Sequence, residues 1–508
     1  MKPAFWHDWS DEQEQDWAHA IDAVITRYQS ATASRPRSAA FFRVGHIPQE
    51  GMSPAAWLAQ VQQQGLDHLA AMRRPDCFGH MTSPLPGFMP QLGRLLVSLN
   101  QNMMKTESSA GLTRLERETV ALLHQRVFRQ PSPASYQYSD QVGGVITGGG
   151  TLANLMAMWC ARKQAFPEAL PWWQQLQQQG YRDAVIIGSR LMHYSFDKAA
   201  ELLALGSAQL LKLDVDASGS LDLVELDQVL AACQRERRKV IALVGVAGST
   251  DFCSFDPLHA LADRAQRIGA HFHVDAAWGG PFLFAPDMVP RLAGMARADT
   301  VTLDAHKQLL TPLGCGVLLY RNPERSRDLM TTAPYAVRPQ SWDAGRFTLE
   351  GSRPANVLYL HAALHLMGEQ GYRWLLEKSL ADARHLAAQV RLHPRLELLL
   401  EPTGNVVVFR YLPFLPLQMG ETTINAFNVQ LHKRLRNQGP AFVSRSERVL
   451  PGRAGEASTF LRAVVNNPLS QPQHLDQLLD DVVECGRQLE AEAHAGLPSG
   501  RQNVAQLA

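Results

Sequence analysis

A glycine-rich run is the first place in this chain where residue types and spacing suggest chemistry. It extends from Val142 to Thr151 and leads into a segment whose apolar residues recur at helical spacing. Glycines let backbone N–H groups approach an anion closely, and a following helix adds free amides and the positive end of its dipole. A phosphate would fit there, whereas a flexible turn without a ligand is the alternative. The run contains neither Gly-Lys-Ser/Thr nor G-x-G-x-x-G.

Asp275 is a second candidate because it ends a strand-like apolar run. In open α/β sheets, ligands bind beyond the carboxyl ends of the strands. A buried aspartate at such an end could hold a protonated ring nitrogen and keep a pyridine cationic, with Ala277 packed beneath the ring. The alternative for Asp275 is a helix N-cap or a turn residue.

Lys307 and His193 follow two further strand-like runs, at 301–303 and 185–187. The Lys307 amine could condense with an aldehyde, and the His193 imidazole could stack on an aromatic ring. Taken separately, a solvated surface lysine and a satisfied core histidine explain them as well. Together the four places supply a phosphate cradle, a stacking imidazole, a pyridinium partner and an aldehyde-binding amine. Pyridoxal 5′-phosphate (PLP) is the common cofactor that needs all four.

The spacing of apolar residues also predicts the elements that position these side chains. Between about residues 100 and 371, short strand-like runs alternate with helical stretches, which predicts βαβ units and a mostly parallel sheet covered by helices. The runs lie at 185–187, 210–213, 240–244, 271–274, 301–303 and 317–320. Residues 12–99 are mostly helical in pattern. Strand-like segments at 406–411 and 461–465 alternate with helices in a C-terminal α+β unit.

These patterns predict four parts for the chain. They are a helical N-terminal segment (1–99), a large PLP-binding α/β domain (100–373), a small α+β domain (374–490) and a disordered tail (491–508). The length of 508 residues is consistent with a large domain and smaller companions.

Composition is that of a globular protein acting on a small molecule. Apolar residues make up 45% of the chain, and 49 basic residues balance 48 acidic ones, so no net field attracts nucleic acid or a membrane surface. The six cysteines show no metal-ligand or disulfide spacing. A signal peptide and a bilayer-spanning run are both missing, which predicts a cytoplasmic protein.

The motifs resemble those of the group II PLP-dependent decarboxylases, the family of glutamate, aromatic amino-acid and cysteine-sulfinate decarboxylases. His-Val-Asp-Ala-Ala-Trp-Gly-Gly at 273–280, followed by Asp-Ala-His-Lys at 304–307, is a highly specific pair. The similarity covers roughly residues 75–470. Within the family, the chain resembles bacterial pyridoxal-dependent aspartate 1-decarboxylases in the segments 79–84, 99–102, 314–316 and 348–353.

The resemblance implies a fold-type I PLP enzyme in which Lys307 holds the cofactor as a Schiff base, Asp275 pairs with the pyridine nitrogen and His193 stacks on the ring. Other implied cofactor contacts are Gly149, Gly150, Thr151, Thr250, Ala277 and His306. Thr82 corresponds to a substrate-binding position at the mouth of the site. Arg462 resembles an arginine that grips a substrate carboxylate, and a structural ion pair is its alternative.

Three positions depart from the family pattern. Residues 148–154 read Gly-Gly-Gly-Thr-Leu-Ala-Asn where many relatives have Ser-Gly-Gly-Thr-Glu-Ala-Asn, so a hydroxyl and a carboxylate are lost. We therefore expect phosphate contacts to depend more on backbone amides. Gln308 stands where many relatives have tryptophan, so the family pattern does not predict how the segment after Lys307 packs.

The implied function is decarboxylation of an L-amino acid. Aspartate is favoured over glutamate as the substrate, and cysteine sulfinate and 2,4-diaminobutyrate are further candidates. Tyr335, in the loop-like segment 331–348, is the candidate proton donor because family members use a tyrosine on a mobile loop. An aromatic anchor for that loop is the alternative. The family also implies a homodimer with active sites at its interface. The rival functions are a fold-type I aminotransferase or lyase, and a non-catalytic PLP-binding scaffold.

Overall fold

The computed structural model describes residues 9–30, 46–70, 72–130, 140–335, 337–414, 420–438, 441–451 and 455–495. The helices are α1 (Asp11–Gln29), α2 (Pro54–Gln64), α3 (Met89–Leu99), α4 (Thr106–Ser109), α5 (Gly111–Phe128), α6 (Gly150–Ala165), α7 (Trp172–Gln178), α8 (Ser195–Leu202), α9 (Leu223–Arg235), α10 (Leu258–Ile268), α11 (Val357–Leu392), α12 (Glu421–Gln438) and α13 (Pro472–Ala495). The strands are β1 (Gly144–Thr147), β2 (Asp183–Ser189), β3 (Leu210–Leu213), β4 (Arg238–Val246), β5 (His271–Asp275), β6 (Thr300–Asp304), β7 (Gly316–Tyr320), β8 (Leu396–Leu398), β9 (Val406–Tyr411), β10 (Ser444–Arg448) and β11 (Ser458–Val464).

A seven-stranded sheet in the order β1-β7-β6-β5-β4-β2-β3 forms the centre of the molecule. The strands from β3 to β6 pair in parallel, whereas β7 is antiparallel to both β6 and β1. The predicted α/β class with a mostly parallel mixed sheet is therefore confirmed. All six predicted runs lie in strands. The strand β1 was predicted only as part of a glycine-rich turn.

Helices cover both faces of this sheet, which explains why its central strands are almost continuously apolar. Successive residues of a strand point to opposite faces, so Ile187 and Ile186 belong to different apolar clusters. One cluster includes side chains from α5, α9, α10 and α11, and the other includes side chains from α6, α7 and α8. The sheet is thereby fixed between two layers, and its carboxyl edge is a rigid platform.

A second, antiparallel sheet in the order β10-β11-β9-β8 packs with α11, α12 and α13. Phe78 joins this core, and its backbone pairs with Phe442 and Val464. The helix α11 crosses the predicted boundary at 373/374 and is broken at Gly368 (φ 62°, ψ 179°). The helix α13 continues to Ala495, and residues 496–508 lie outside the described residues. The division into domains stays a prediction.

The N-terminal helix α1 buries none of its residues. It contacts α2 through Trp17 and Trp57, whose ring centroids are 6.1 Å apart. Within the described parts of the chain, no helix is long and apolar enough to cross a membrane.

Candidate active site

A cavity of about 460 Å³ opens beyond the carboxyl ends of β2, β4, β5 and β6, beside the first turn of α6. This is the edge at which α/β sheets bind ligands, and the volume suits a small cofactor. The lining includes all nine predicted cofactor contacts: Gly149, Gly150, Thr151, His193, Thr250, Asp275, Ala277, His306 and Lys307. The sheet thus brings together residues that are far apart in sequence.

Lys307 lies just after β6, and its amine is held by a buried carboxylate. Its Nζ is 3.0 Å from Oδ2 of Asp304, the last residue of β6, whose side chain is 4% exposed. His306 lies on the same carboxylate, with Nε2 3.7 Å from Oδ2, and its Nδ1 is 3.1 Å from the Cys315 carbonyl. Since the Lys307 side chain is only 19% exposed, a solvated surface lysine does not describe it.

Asp275 ends β5 and is buried in the floor of the cavity. Its Oδ1 accepts a hydrogen bond from the Ala277 amide at 3.1 Å, which is the contact of a turn residue. Its Oδ2 accepts one from Nδ2 of Asn154 on α6 at 2.9 Å. A carboxylate oriented by two N–H donors can pair with a cationic ring nitrogen.

His193 stands between β2 and α8, with its ring centroid 4.2 Å from that of Tyr194. The Ser195 amide donates to Nδ1 at 3.3 Å, so that nitrogen carries no proton. Burial lowers the pKa of His193; Asp275 opposes this shift, and the charge of Lys307 reinforces it. A neutral imidazole can therefore stack on a ring without adding a second cation to the cavity.

The turn between β1 and α6 needs glycine at two positions. Gly149 adopts φ 146°, and a side chain at Gly150 would place its Cβ 2.7 Å from Oδ2 of Asp304. Gly150 and Thr151 are the first two residues of α6, so their amides have no acceptor within the helix. Amine, buried carboxylate and free helix amides together form a donor set that fits PLP.

Three predicted residues lie outside the cavity lining. Tyr335 is 86% exposed, and Thr82 is partly buried next to Ser83, whose hydroxyl donates to the Asn466 carbonyl at 3.0 Å. Arg462 is adjacent to the cavity, because its Nη1 donates to the carbonyl of Thr250.

No role could be assigned from the sequence to Asp304, to Asn154 or to the residues that contact Gln308. Asp304 carries the same signal as Asp275, since each ends a strand of the sheet. Gln308 is buried in a cluster of amides: its Nε2 donates to the Trp278 carbonyl at 2.6 Å, and its Oε1 accepts from Asn405 at 2.8 Å. This cluster ties the segment after Lys307 to the C-terminal half of the chain.

The comparisons with known proteins identify the family of the chain. Residues 62–412 match the pyridoxal-dependent decarboxylase conserved domain. The chain is 33% identical to an aspartate 1-decarboxylase of Aliivibrio fischeri over 85% of this chain and 82% of that protein. It is 29% identical to an L-2,4-diaminobutyrate decarboxylase of Rhizobium meliloti, over 93% of this chain and 91% of that one.

The fold is that of solved relatives. A crystal structure of Oryza sativa TDC with PLP and tryptamine superposes with a TM-score of 0.82, covering 96% of this chain and 100% of that chain at 20% identity. The predicted family, cofactor and reaction class are confirmed, and the aminotransferase and scaffold alternatives are set aside. The chain belongs to the pyridoxal-dependent decarboxylases and is a PLP-dependent amino-acid carboxy-lyase.

Proposed function

We propose that this enzyme decarboxylates an acidic L-amino acid, with aspartate, which gives β-alanine, ahead of glutamate, which gives γ-aminobutyrate. The observation that carries the proposal is the 33% identity to the aspartate 1-decarboxylase of A. fischeri across 85% of this chain. L-2,4-Diaminobutyrate is the second candidate, because that relative matches 93% of this chain at 29% identity. The side chains of the two candidates carry opposite charges.

The cavity residues divide the chemistry between them. Lys307 is the proposed covalent anchor of the cofactor aldehyde, and Asp304 holds its ammonium group when the amine is free. When bound, PLP supplies the electron sink that accepts the electron pair left by departing carbon dioxide. Asp275 would pair with the ring nitrogen, and His193 would stack on the ring. The contacts of Lys307 with Asp304 and of Asp275 with Asn154 support the first and third of these assignments.

The remaining cavity residues position the cofactor. Gly149, Gly150 and Thr151 are the proposed phosphate contacts, because the first amides of α6 and its dipole favour an anion. His306 lies beside this turn and supports the same end of the cavity. Thr250 and Ala277 are proposed to line the ring.

Arg462 and Thr82 are the proposed substrate contacts, and Arg462 has the stronger support. No carboxylate of the described residues lies within ion-pair distance of Arg462, and its Nε instead donates to the Ser444 hydroxyl at 3.1 Å. Burial lowers the pKa of this guanidinium, with Asp251 opposing the shift. A partly buried cation without a carboxylate partner among the described residues, next to the cavity wall at Thr250, is suited to a substrate carboxylate.

Tyr335 is the proposed donor of the proton that must reach Cα after carbon dioxide leaves. Its side chain lies outside its own chain's cavity and is 86% exposed. We therefore propose that the enzyme is a homodimer and that the 331–348 loop of one subunit serves the site of the other.

A substrate panel tests the proposed function. Purified enzyme loaded with PLP is incubated with aspartate, glutamate, cysteine sulfinate and 2,4-diaminobutyrate, and both carbon dioxide and the amine product are measured. We expect the highest kcat/KM with aspartate. Lys307→Ala is the control, and it should lose both turnover and the visible absorbance of the lysine-bound cofactor. Turnover of diaminobutyrate with none of aspartate would reassign the substrate to the second candidate.

A further inference from the structure

A chain of buried polar side chains leads away from Asp275, between β5, β6 and α6. Beyond Asp275 this relay comprises Asn154, His273, Thr300 and His271. All four side chains are buried, with exposures of 5% or less. Asn154 Oδ1 is 3.1 Å from Nε2 of His273, whose Nδ1 is 2.9 Å from the Thr300 hydroxyl. The same hydroxyl is 2.7 Å from Nε2 of His271.

At the end of the relay next to Asp275, only one assignment of donors and acceptors is consistent. An ionised carboxylate only accepts hydrogen bonds, so Asn154 must turn its NH₂ group toward Asp275. The second hydrogen of that group is donated to the Ser195 hydroxyl, with Nδ2 and Oγ 3.0 Å apart. The amide oxygen of Asn154 then faces Nε2 of His273. That nitrogen must carry the ring proton.

The protonation of the two histidines fixes the remaining directions. Burial lowers the pKa of His271 to about 4 and that of His273 to about 3, so both rings are neutral near pH 7. With its proton on Nε2, His273 accepts the Thr300 hydroxyl hydrogen at Nδ1. Gln164 donates its Nε2 hydrogen to Oδ2 of Asp328 at 3.0 Å, so its Oε1 accepts the proton of His271 Nδ1, also at 3.0 Å. Nε2 of His271 is then a second acceptor for the Thr300 hydrogen, and His271 lies outside the ordered part of the relay.

We propose that this relay is a positioning device whose hydrogen bonds from Thr300 inward all point toward Asp275, which they hold in place and polarise to pair with the cofactor ring nitrogen. Hydrogen bonds aligned in one direction strengthen one another in a low-dielectric interior. The His273 proton, which faces the Asn154 oxygen at 3.1 Å, reinforces the orientation that the Asp275 carboxylate imposes on this amide. The proposal rests on the proposed role of Asp275.

Thr300 offers the sharpest test, because valine has its shape without its hydroxyl. Apoprotein is titrated with PLP, and the dissociation constant is followed through the visible absorbance of the lysine-bound cofactor. Thr300→Val should raise this constant about fivefold, the worth of one buried hydrogen bond. Thr300→Ser should restore it. Thr302→Val is the matched control, since Thr302 is equally buried in β6 and its hydroxyl has no partner among the described residues.

A double variant separates a relay from a merely structural threonine. In the Asp275→Asn background, Thr300→Val should cause no further loss of PLP affinity, because the charge on which the relay acts is gone. Equal losses in both backgrounds, or a loss in Thr302→Val equal to that in Thr300→Val, would overturn the relay alone. Unchanged PLP affinity in Asp275→Asn itself would overturn the role of Asp275 and the relay with it.

Discussion

Two neighbouring polar side chains, Asp304 and Asn154, set the positions of Lys307 and Asp275. The Lys307 amine is oriented by Asp304, three residues earlier, and Asp275 is oriented by Asn154, which comes from a helix on one face of the sheet. The residues at strand ends could be predicted, because a polar residue after an apolar run is visible in one segment. The contact with Asn154 could not, since it depends on which face α6 turns toward β5.

Tyr335→Phe tests the proposed proton donor. Removing the phenol should slow amine formation at least tenfold and raise the fraction of turnovers that end as aldehyde and pyridoxamine phosphate, because Cα then waits longer for its proton (~10²-fold or more is typical of general acids). Product analysis after extended turnover measures this partition. Tyr194, which lines the cavity, provides the control, and Tyr194→Phe should leave the partition at its wild-type value. An unchanged partition in Tyr335→Phe would refute the assignment.

At the scale of elements, the strand β1 delivers the glycine turn to the cavity, and a buried ion pair holds that strand. Arg353 Nη2 is 2.8 Å from Oε1 of Glu116, and the same oxygen accepts the Ile146 amide of β1 at 3.2 Å. Both side chains are less than 10% exposed. The pair therefore links α5 and the segment before α11 to the entrance of the turn.

Arg353→Ala should lower the free energy of unfolding by about 3–5 kcal/mol, because Glu116 keeps a buried charge without its partner. Arg373→Ala, which breaks an exposed pair with Glu377 on α11, should cost only about 0.5 kcal/mol. Urea denaturation of the two variants measures the difference. Similar losses in both would mean that the buried pair contributes no more than a surface pair.

The strands that sequence reasoning missed have physical reasons for being inconspicuous. The strand β1 contains one glycine and is followed by three more, so its two buried apolar residues are too few to show alternation. The strand β10 reads Ser-Arg-Ser-Glu-Arg and lies at an edge of the small sheet with no buried residue. Charged edge strands avoid aggregation in this way, but they carry no apolar period.

The antiparallel direction of β7 could have been predicted. Only eleven residues connect β6 to β7, and they contain no helix. A parallel crossover usually needs a dozen or more residues, and usually a helix. The order of the strands across the sheet could not be predicted in this way, because each βαβ connection can place its strand on either side.

For the whole molecule, subunit mixing tests the proposed homodimer. Lys307→Ala removes the lysine of its own subunit's site, and Tyr335→Phe removes the phenol that is proposed to serve the other subunit's site. A hybrid dimer of the two variants therefore keeps one site with both residues intact. Mixing equal amounts under exchanging conditions makes half of the dimers hybrids and should restore amine formation to about a quarter of the wild-type value. Activity that stays at the mean of the two variants has two explanations: Tyr335 serves its own subunit's site, or the subunits do not exchange. Sedimentation of tagged hybrids separates these two cases.

The place of β1 at the end of the sheet has a consequence for how the enzyme is held together. Gly150 and Lys307 are about 150 residues apart in sequence. A cofactor attached to both would close that long loop, and this lowers the conformational entropy of the chain in a way that does not apply to the apoprotein. Ligand binding stabilises most the parts that open most readily without it. Loss of PLP should therefore loosen the β1 edge before the parallel centre, and amide hydrogen exchange in residues 144–151 would report the loss first.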